Sequence, residues 1–233
     1  MPEPVDPAER VLVPLLLALT AVTGLVDAAS YLSFGHVFTA NMTGNVVFLG
    51  FAIAGAPGLS LGRSSLALAA FAAGAVAGGR IAGRLGGGAK LRWAGAAFSI
   101  EAGLLLVAAL ACVGLDPEAH SGRIHAAIVL TALAMGVRNA VVRKLAVRDL
   151  TTTVLTLTIT GVAADSSLGG GDNPPSTRRW LAVLTMFAGA AVGAWLLTFA
   201  VALPLAVSGA LSAACAVRAF GAAATSDRRG RGQ

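Results

Sequence analysis

The sequence predicts an all-α membrane protein, a polytopic bundle of transmembrane helices with little mass in water. Of its 233 residues, 56% are hydrophobic and only 12% are charged, and the mean hydropathy is +0.79. Such a chain has too little polar surface to cover a water-soluble globule. Within lipid, every backbone N–H and C=O group must be paired inside the protein, which leaves helices or a closed barrel. The runs at 104–111 and 187–197 lack the alternation of barrel strands, so helices are predicted.

Eight apolar segments follow one another along the chain. A helix needs about 20 residues to span a bilayer. Two segments depart from this pattern, because the second is interrupted by polar residues and glycine and the sixth is short and rich in threonine. The prediction is therefore about six spans plus two short segments, with a tight hairpin near Pro204 between the last two spans. The eight segments cover residues 11–33, 37–55, 64–81, 93–115, 124–142, 150–164, 180–199 and 203–219.

The whole chain, residues 1–233, is predicted to be a single integral membrane domain. The polar stretches between segments are short, and the longest are 165–179 and the C-terminal tail 221–233, which is predicted to be disordered and cytoplasmic. The N-terminus is rich in proline and acid before Arg10 and does not resemble the basic start of a cleaved signal peptide. The first segment is therefore expected to stay in the protein.

An internal repeat is predicted from three motifs that recur in the same order. The first half spans about residues 11–115 and the second about 124–219. Three spans and one short segment in each half would make the two units inverted relative to each other in the membrane. The paired motifs are Gly24-x-x-Asp27-Ala28 with Gly136-x-x-Asn139-Ala140, Thr39-x-x-x-Thr43-Gly44 with Thr156-x-x-x-Thr160-Gly161, and Gly74-x-x-x-Gly78 with Gly189-x-x-x-Gly193.

The distribution of lysine and arginine favours six spans. If all eight segments crossed, the cations would divide almost evenly between the two faces, contrary to the positive-inside rule. If the second and sixth segments turn back, only Arg63 and Arg123 lie outside among the loop and tail cations, and both termini are cytoplasmic. A seven-span arrangement, in which the second segment crosses and the sixth does not, adds Arg10 to the outer face and stays open. The repeat favours six, because equivalent segments should behave alike.

The motifs together resemble those of the YoaK family, small bacterial integral membrane proteins with a domain of unknown function. The resemblance rests on Thr23-Gly-Leu-Val-Asp27-Ala28, on Phe38-Thr-Ala-Asn41-Met-Thr43-Gly-Asn45, on Met135-Gly-Val-Arg138-Asn139-Ala140 and on the threonine-rich run ending at Thr160-Gly161. It covers about residues 22–217. It implies a multi-pass protein of the bacterial inner membrane and no particular activity.

Two acidic residues are predicted to lie inside spanning segments, Asp27 in the first and Glu101 in the fourth. An unpaired charge within the bilayer is costly, so each should have a partner or a task. One interpretation is a proton or cation relay, or a salt bridge to Arg138 that breaks and reforms during transport. The other is that both carboxyl groups are neutral or hydrogen-bonded and only hold the helices together.

The threonine and asparagine side chains of the two short segments form the second group of candidates. Interrupted segments at corresponding places in inverted halves are typical of transporters, where broken helices line a polar site near the midplane. The alternative is that these side chains hydrogen-bond neighbouring helices and only stabilise packing. The candidate pathway residues are Asp27, Thr39, Asn41, Thr43, Asn45, Glu101, Arg138, Asn139, Thr156 and Thr160.

Several classes of function are disfavoured by the sequence. The net charge of +6 comes from cations at the ends of apolar runs, without the interleaved aromatics of a nucleic-acid site. His36, His120 and His125 do not have metal-ligand spacing, so neither a metal nor a cofactor is expected. No nucleophile stands beside a base in sequence, so no enzyme is expected; a cluster of Asp27, Glu101 and His36 would revive that alternative.

The favoured hypothesis is a transporter or channel for a small solute or ion, with Asp27 and Glu101 as its titratable groups. The alternative is a non-transporting membrane scaffold or accessory protein. The lipid bilayer is the expected partner, and small-residue faces such as 74–78 would suit contacts within the chain and contacts in a homo-oligomer equally well.

Overall fold

The computed structural model describes residues 7–84, 90–115, 120–147, 152, 155–172 and 176–231, and this part of the chain is helical without strands. A single 3₁₀ turn follows the sixth helix at Ser167–Gly169. The α-helices are α1 (Pro7–Ser33), α2 (Met42–Ile53), α3 (Leu61–Arg84), α4 (Lys90–Ala111), α5 (Ser121–Leu145), α6 (Leu155–Ala164), α7 (Thr177–Leu197) and α8 (Ala202–Arg231).

Six of the described helices are long and apolar enough to cross a membrane, namely α1, α3, α4, α5, α7 and α8. The other two are much shorter, with 12 residues in α2 and 10 in α6. At a rise of about 1.5 Å per residue, neither short helix could cross a hydrocarbon core of about 30 Å. The prediction of an all-α bundle with six spans and two short segments is confirmed.

The strongest packing in the bundle joins the two halves of the sequence. Helix α1 packs mainly against α7, α3 against α5, and α4 against α8. Further contacts join α4 with α5 and α1 with α8. Each of these pairs takes one helix from each half, so the halves interlock.

Glycines allow α1 and α7, and likewise α3 and α5, to approach until their backbones touch. At each of these glycines an added Cβ would overlap the partner helix, so a larger residue would push the helices apart. Every such contact in one helix pair has a counterpart in the other. The equivalent contacts are Gly24–Ala190 and Gly136–Ala75, Gly189–Ala21 and Gly74–Leu133, and Gly193–Leu25 and Gly78–Val137.

The direction of packing agrees with six crossings. At the glycine contacts, residue numbers increase in the same direction along α1 and α7, and likewise along α3 and α5, so the helices of each pair are parallel. Helices α4 and α8 are antiparallel, because Gly95 lies against Phe220 and Gly209 against Leu106. Successive spans of one chain cross the membrane in alternating directions. They give these two parallel pairs and one antiparallel pair only if both short segments turn back. A seventh crossing by α2 would make α1 and α7 antiparallel, and eight crossings would make α4 and α8 parallel.

The C-terminal part differs from the predicted disordered tail. Helix α8 continues as far as Arg231, so the prediction of disorder from residue 221 is wrong for residues 221–231. The run 222–224 consists of alanine, the strongest helix former. Ala219 and Ala223 are fully buried, which extends the packed face of α8 beyond the predicted end of the span.

The hairpin expected near Pro204 is confirmed. Helix α7 ends at Leu197, and α8 begins at Ala202 after four residues. Pro204 therefore lies in the first turn of α8, where its missing N–H group breaks no helical hydrogen bond.

Candidate functional site

Three charged side chains are buried in the described part of the chain: Asp27 on α1, Glu101 on α4 and Arg138 on α5. Glu101 and Arg138 are completely inaccessible, and Asp27 is 8% exposed. All three lie well inside helices long enough to cross the membrane. Charges in such a place are costly unless they are paired, so their partners define the site.

Arg138 is the centre of this group. Its Nη1 donates to Oε1 of Glu101 at 3.0 Å and to the backbone oxygen of Leu19 on α1 at 2.9 Å. Its Nη2 donates to the hydroxyl of Thr23 and lies 3.1 Å from the sulfur of Met135. The guanidinium group therefore ties α5 to both α1 and α4 in the core of the bundle.

Asp27 holds the start of the short helix α2 against α1. Its Oδ1 accepts a hydrogen bond of 3.0 Å from the backbone N–H of Ala40, and the backbone N–H groups of Thr39 and Asn41 face the same carboxyl. Helix α2 begins at Met42, directly after these residues. A carboxylate is favourable there, because the free N–H groups give the start of a helix a partial positive charge.

Asn45 closes the turn that leads into α2. Its Oδ1 accepts from the backbone N–H of Phe38 at 3.0 Å, while its Nδ2 donates to the carbonyl oxygen of the same residue. The ring of Phe38 packs against the rings of Tyr31 and Phe48, with centroid distances of 5.0 and 5.7 Å, and those two rings also lie near each other at 6.1 Å. The predicted interruption of the second segment is thus an ordered turn with a buried asparagine.

The second short segment reaches the same face of α1 from the other half of the chain. The backbone oxygen of Thr152 accepts a hydrogen bond of 3.1 Å from the hydroxyl of Thr23. Thr23 precedes Asp27 by one helical turn, about 6 Å along the axis. Both short segments therefore contact α1 beside the buried contact between Glu101 and Arg138. Residues 150, 151, 153 and 154 of the predicted sixth segment lie outside the described residues.

The structure separates the predicted pathway residues into two sets. Asp27, Glu101 and Arg138 form the buried cluster; Thr39 and Asn45 are buried beside it, while Asn41 and Asn139 are partly buried. Asn139 donates to the carbonyl oxygen of Met135 within its own helix at 2.7 Å. Three predicted residues lie instead on the exposed surface of the chain, namely Thr43, Thr156 and Thr160.

Three polar side chains at the site were not among the candidates. Thr23 stands one turn before Asp27, and this i, i+4 spacing places both on the same face of α1. Thr152 belongs to the threonine-rich run, whose individual members the sequence does not distinguish. Ser212 faces the carboxyl of Glu101 from α8 and has no motif around it in the sequence.

The other candidate clusters are not assembled in the described part of the chain. There, no group of three or more His, Cys, Asp or Glu side chains could hold a metal ion. His36 is exposed in the turn after α1, whereas Asp27 and Glu101 are buried. The arrangement offers a buried, hydrogen-bonded pair of Glu101 and Arg138, a second buried carboxyl group and several hydroxyl groups, which suit the binding of a proton or of a small polar solute.

Comparisons with known proteins are consistent with a membrane protein. The family described as "Protein of unknown function (DUF1275)" matches residues 15–218. A relative, the UPF0700 transmembrane protein YoaK of Bacillus subtilis (strain 168), is 36% identical over 155 residues, which make up 65% of this chain and 65% of the relative. The match thus spans just under two thirds of the relative's length. No solved structure matches.

Proposed function

We propose that this chain, which belongs to the DUF1275 family of proteins of unknown function, carries a small solute or an ion across the membrane without altering it chemically. One observation supports this proposal above the others. Both short segments reach α1 one turn apart, at Asp27 and at Thr23, beside the buried Glu101–Arg138 pair. Non-spanning segments that meet at charged groups within the bilayer are the usual way in which transporters build a solute site.

We further propose that the protein consists of two inverted units. The glycine contacts that pair α1 with α7 have counterparts between α3 and α5, as an internal twofold relation requires. The equivalent helices α1 and α5 run in opposite directions, because α5 is parallel to α3 and the end of α1 meets the start of α3 through the Arg63 to Phe34 hydrogen bond. Inverted units allow the same site to open first to one side and then to the other.

The proposed orientation places both termini in the cytoplasm of a bacterial cell, with the chain in the inner membrane. Among the described cations outside the core, only Arg63 and Arg123 lie at the end of the bundle where α3 and α5 begin. The rest lie at the opposite end, as the positive-inside rule expects of the cytoplasmic side. These are Arg10, Arg80, Arg84, Lys90, Arg92, Arg143, Lys144, Arg178, Arg179, Arg218 and Arg228.

The proposed pathway includes fewer residues than the set of candidates from the sequence. It passes the buried side chains of Asp27, Thr23 and Thr39 and the Glu101–Arg138 pair. Thr43, Thr156 and Thr160 are left out, because these side chains lie on the exposed surface of the single chain.

Solute uptake by the full chain in proteoliposomes tests the proposal. The panel would contain radiolabelled amino acids, small carboxylates, inorganic anions and monovalent cations, each with and without an imposed pH gradient. We expect flux of at least one member above that of empty liposomes. Thr23→Val keeps the shape of the side chain but removes the hydroxyl that contacts Arg138 and Thr152, and it should reduce this flux at least tenfold.

Thr185→Val is the matched control for Thr23→Val. Thr185 is partly exposed on α7, and its hydroxyl donates to Leu181 of the same helix, so its replacement should leave the flux unchanged. Absence of flux for the whole panel would contradict transport. A stable stoichiometric complex with another membrane protein, in the absence of flux, would favour a scaffold instead.

A further inference from the structure

The buried charges of the site do not balance if all are ionised. Among the described residues, two carboxyl groups and one guanidinium group are buried within the spanning helices. Arginine stays protonated in proteins, so this cluster would hold a net charge of minus one. An uncompensated charge inside the bilayer costs at least about 2.5 kcal/mol. A proton on one of the two carboxyl groups removes this cost.

The surroundings of Asp27 suit the ionised form. Its Oδ1 accepts the backbone N–H of Ala40, and two more backbone N–H groups face the carboxyl at the start of α2. A carboxylate accepts such bonds better than a neutral acid, and the partial positive charge at the helix start adds to this preference. Asp27 is therefore the group that carries the negative charge and balances Arg138.

The surroundings of Glu101 suit the neutral form. Its Oε1 accepts from Arg138, but its Oε2 is buried without any hydrogen-bond partner. Ser212 faces the same carboxyl from α8, and its buried Oγ is also unpartnered. A bare carboxylate oxygen without a donor is costly. Apart from Arg138, this carboxyl group faces only one hydroxyl as a donor among the described residues, whereas three backbone N–H groups face Asp27, so the proton is better placed on Glu101, where Oε2 would donate it to Oγ of Ser212.

We propose that Glu101 binds a proton on Oε2, at a buried site between α4, α5 and α8. The groups that face it are Arg138 from α5 and Ser212 and Cys215 from α8, and Arg138 also acts electrostatically on Asp27 of α1. The further statement that this proton is the ion coupled to transport rests on the proposed function. The proton site itself needs no transported solute.

Release of the proton breaks the O–H bond at Oε2 and leaves its electron pair on the carboxylate. Glu101 then becomes a full ionic partner of Arg138, and the guanidinium is shared between two carboxylates. The cluster gains one negative charge in this step, and rebinding a proton from the opposite side of the membrane restores neutrality. The charge of the site therefore depends on the pH of the side of the membrane to which the site is open.

Isotope-edited infrared spectroscopy of the full chain in lipid vesicles at neutral pH tests this site. A buried protonated carboxyl group has a C=O stretching band distinct from that of carboxylates. We expect one such band, which shifts when the protein is made with isotope-labelled glutamate and stays in place with labelled aspartate. A band that follows the aspartate label, or no such band in the wild type, would overturn the inference.

Variants test the charge balance behind the site. Glu101→Gln removes the acid and should abolish the band, whereas the control Glu9→Gln, at the partly exposed pair with Arg178, should leave it unchanged. Asp27→Asn leaves one acid and one base, so Glu101 should ionise and the band should again disappear. Retention of the band in Asp27→Asn would contradict the inferred balance.

Arg138→Gln provides the opposite change. It removes the only buried base of the described cluster, so both acids should be neutral and a second band should appear that follows the aspartate label. If a variant does not fold, the labelled wild type still decides which residue holds the proton. Failure of the transport proposal would appear as absent flux with the band intact, so the two outcomes are distinguishable.

Discussion

Arg138 joins three spanning helices through one side chain. A salt bridge between this residue and an acid within the bilayer is one of the interpretations that the sequence leaves open, and in the structure the acid that contacts Arg138 is Glu101. Asp27 instead binds the backbone at the start of α2. The sequence could not distinguish the two acids, because both lie deep in apolar segments and their partners come from other helices.

At the same scale, Asn45 is predicted to control the turn before α2. Asn45→Ala removes two hydrogen bonds to Phe38 and leaves its N–H and C=O groups unpaired in a partly buried place. Such a loss costs about 1–3 kcal/mol per group. Hydrogen–deuterium exchange should become faster at residues 34–41, with no change in α4.

The matched control is Asn41→Ala in the same turn. Asn41 precedes the first residue of α2 but makes no side-chain capping bond, so its replacement should leave exchange at residues 34–41 close to that of the wild type. Equal exchange in Asn45→Ala and the wild type would show that the side chain does not hold the turn.

At the scale of elements, the two short segments have different surroundings despite their similar sequences. Helix α2 contains the buried Asn45 and follows the buried Thr39, whereas α6 has no buried residue among the ten that form it. Periodicity predicts neither outcome, because both segments contain threonine, glycine and apolar residues on all sides. Packing against α3 covers one face of α2, and α6 has a smaller contact with α7.

The glycine contacts between helices predict the effect of added volume. A Cβ at Gly136 would overlap backbone atoms of Phe71 and Ala75 on α3, and a Cβ at Gly24 would overlap the equivalent atoms on α7. Each glycine-to-alanine change should therefore destabilise the protein by about 1–3 kcal/mol. Thermal unfolding of the detergent-solubilised protein should show similar losses for Gly24→Ala and Gly136→Ala.

Gly103→Ala is the control for these two variants. Gly103 lies in α4 with open space around its Cα, so alanine should fit there and raise stability by up to about 1 kcal/mol through its higher helix propensity. A loss of stability at Gly103 equal to that at Gly136 would contradict the assignment of the effect to helix contacts.

At the scale of the whole molecule, the directions of the helices decide between the topologies that the sequence left open. The charge distribution alone hardly separated six spans from seven. The parallel pairs α1 with α7 and α3 with α5, together with antiparallel α4 and α8, are compatible with six alternating crossings. Both connections that contain the short helices must then return to the side from which they started.

Cysteine labelling in intact cells tests this topology. Pro57 and Asp172 are both exposed in connections next to short helices, and the native Cys112 and Cys215 are buried and should contribute little background. A membrane-impermeant maleimide should label Pro57→Cys from outside, and it should label Asp172→Cys only after the membrane is permeabilised. Pro57 is preferable to the adjacent Gly58, whose φ of 78° would strain any side chain.

Reaction of Pro57→Cys only after permeabilisation would contradict the six-span arrangement and favour seven spans. Reaction of both variants in intact cells would contradict the proposed return of the α6 connection to the cytoplasmic side.

The sequence by itself determined that six segments are long and apolar enough to cross a bilayer, because hydropathy and length act on each segment separately. It also identified the acids and the arginine that belong to the core, since charges within apolar runs are visible without knowledge of their partners. Only the tertiary structure decided that Arg138 pairs with Glu101, that Asp27 holds α2, and that Thr156 and Thr160 lie on the surface. These features depend on which helix faces which, and that choice arises from packing between segments far apart in the chain.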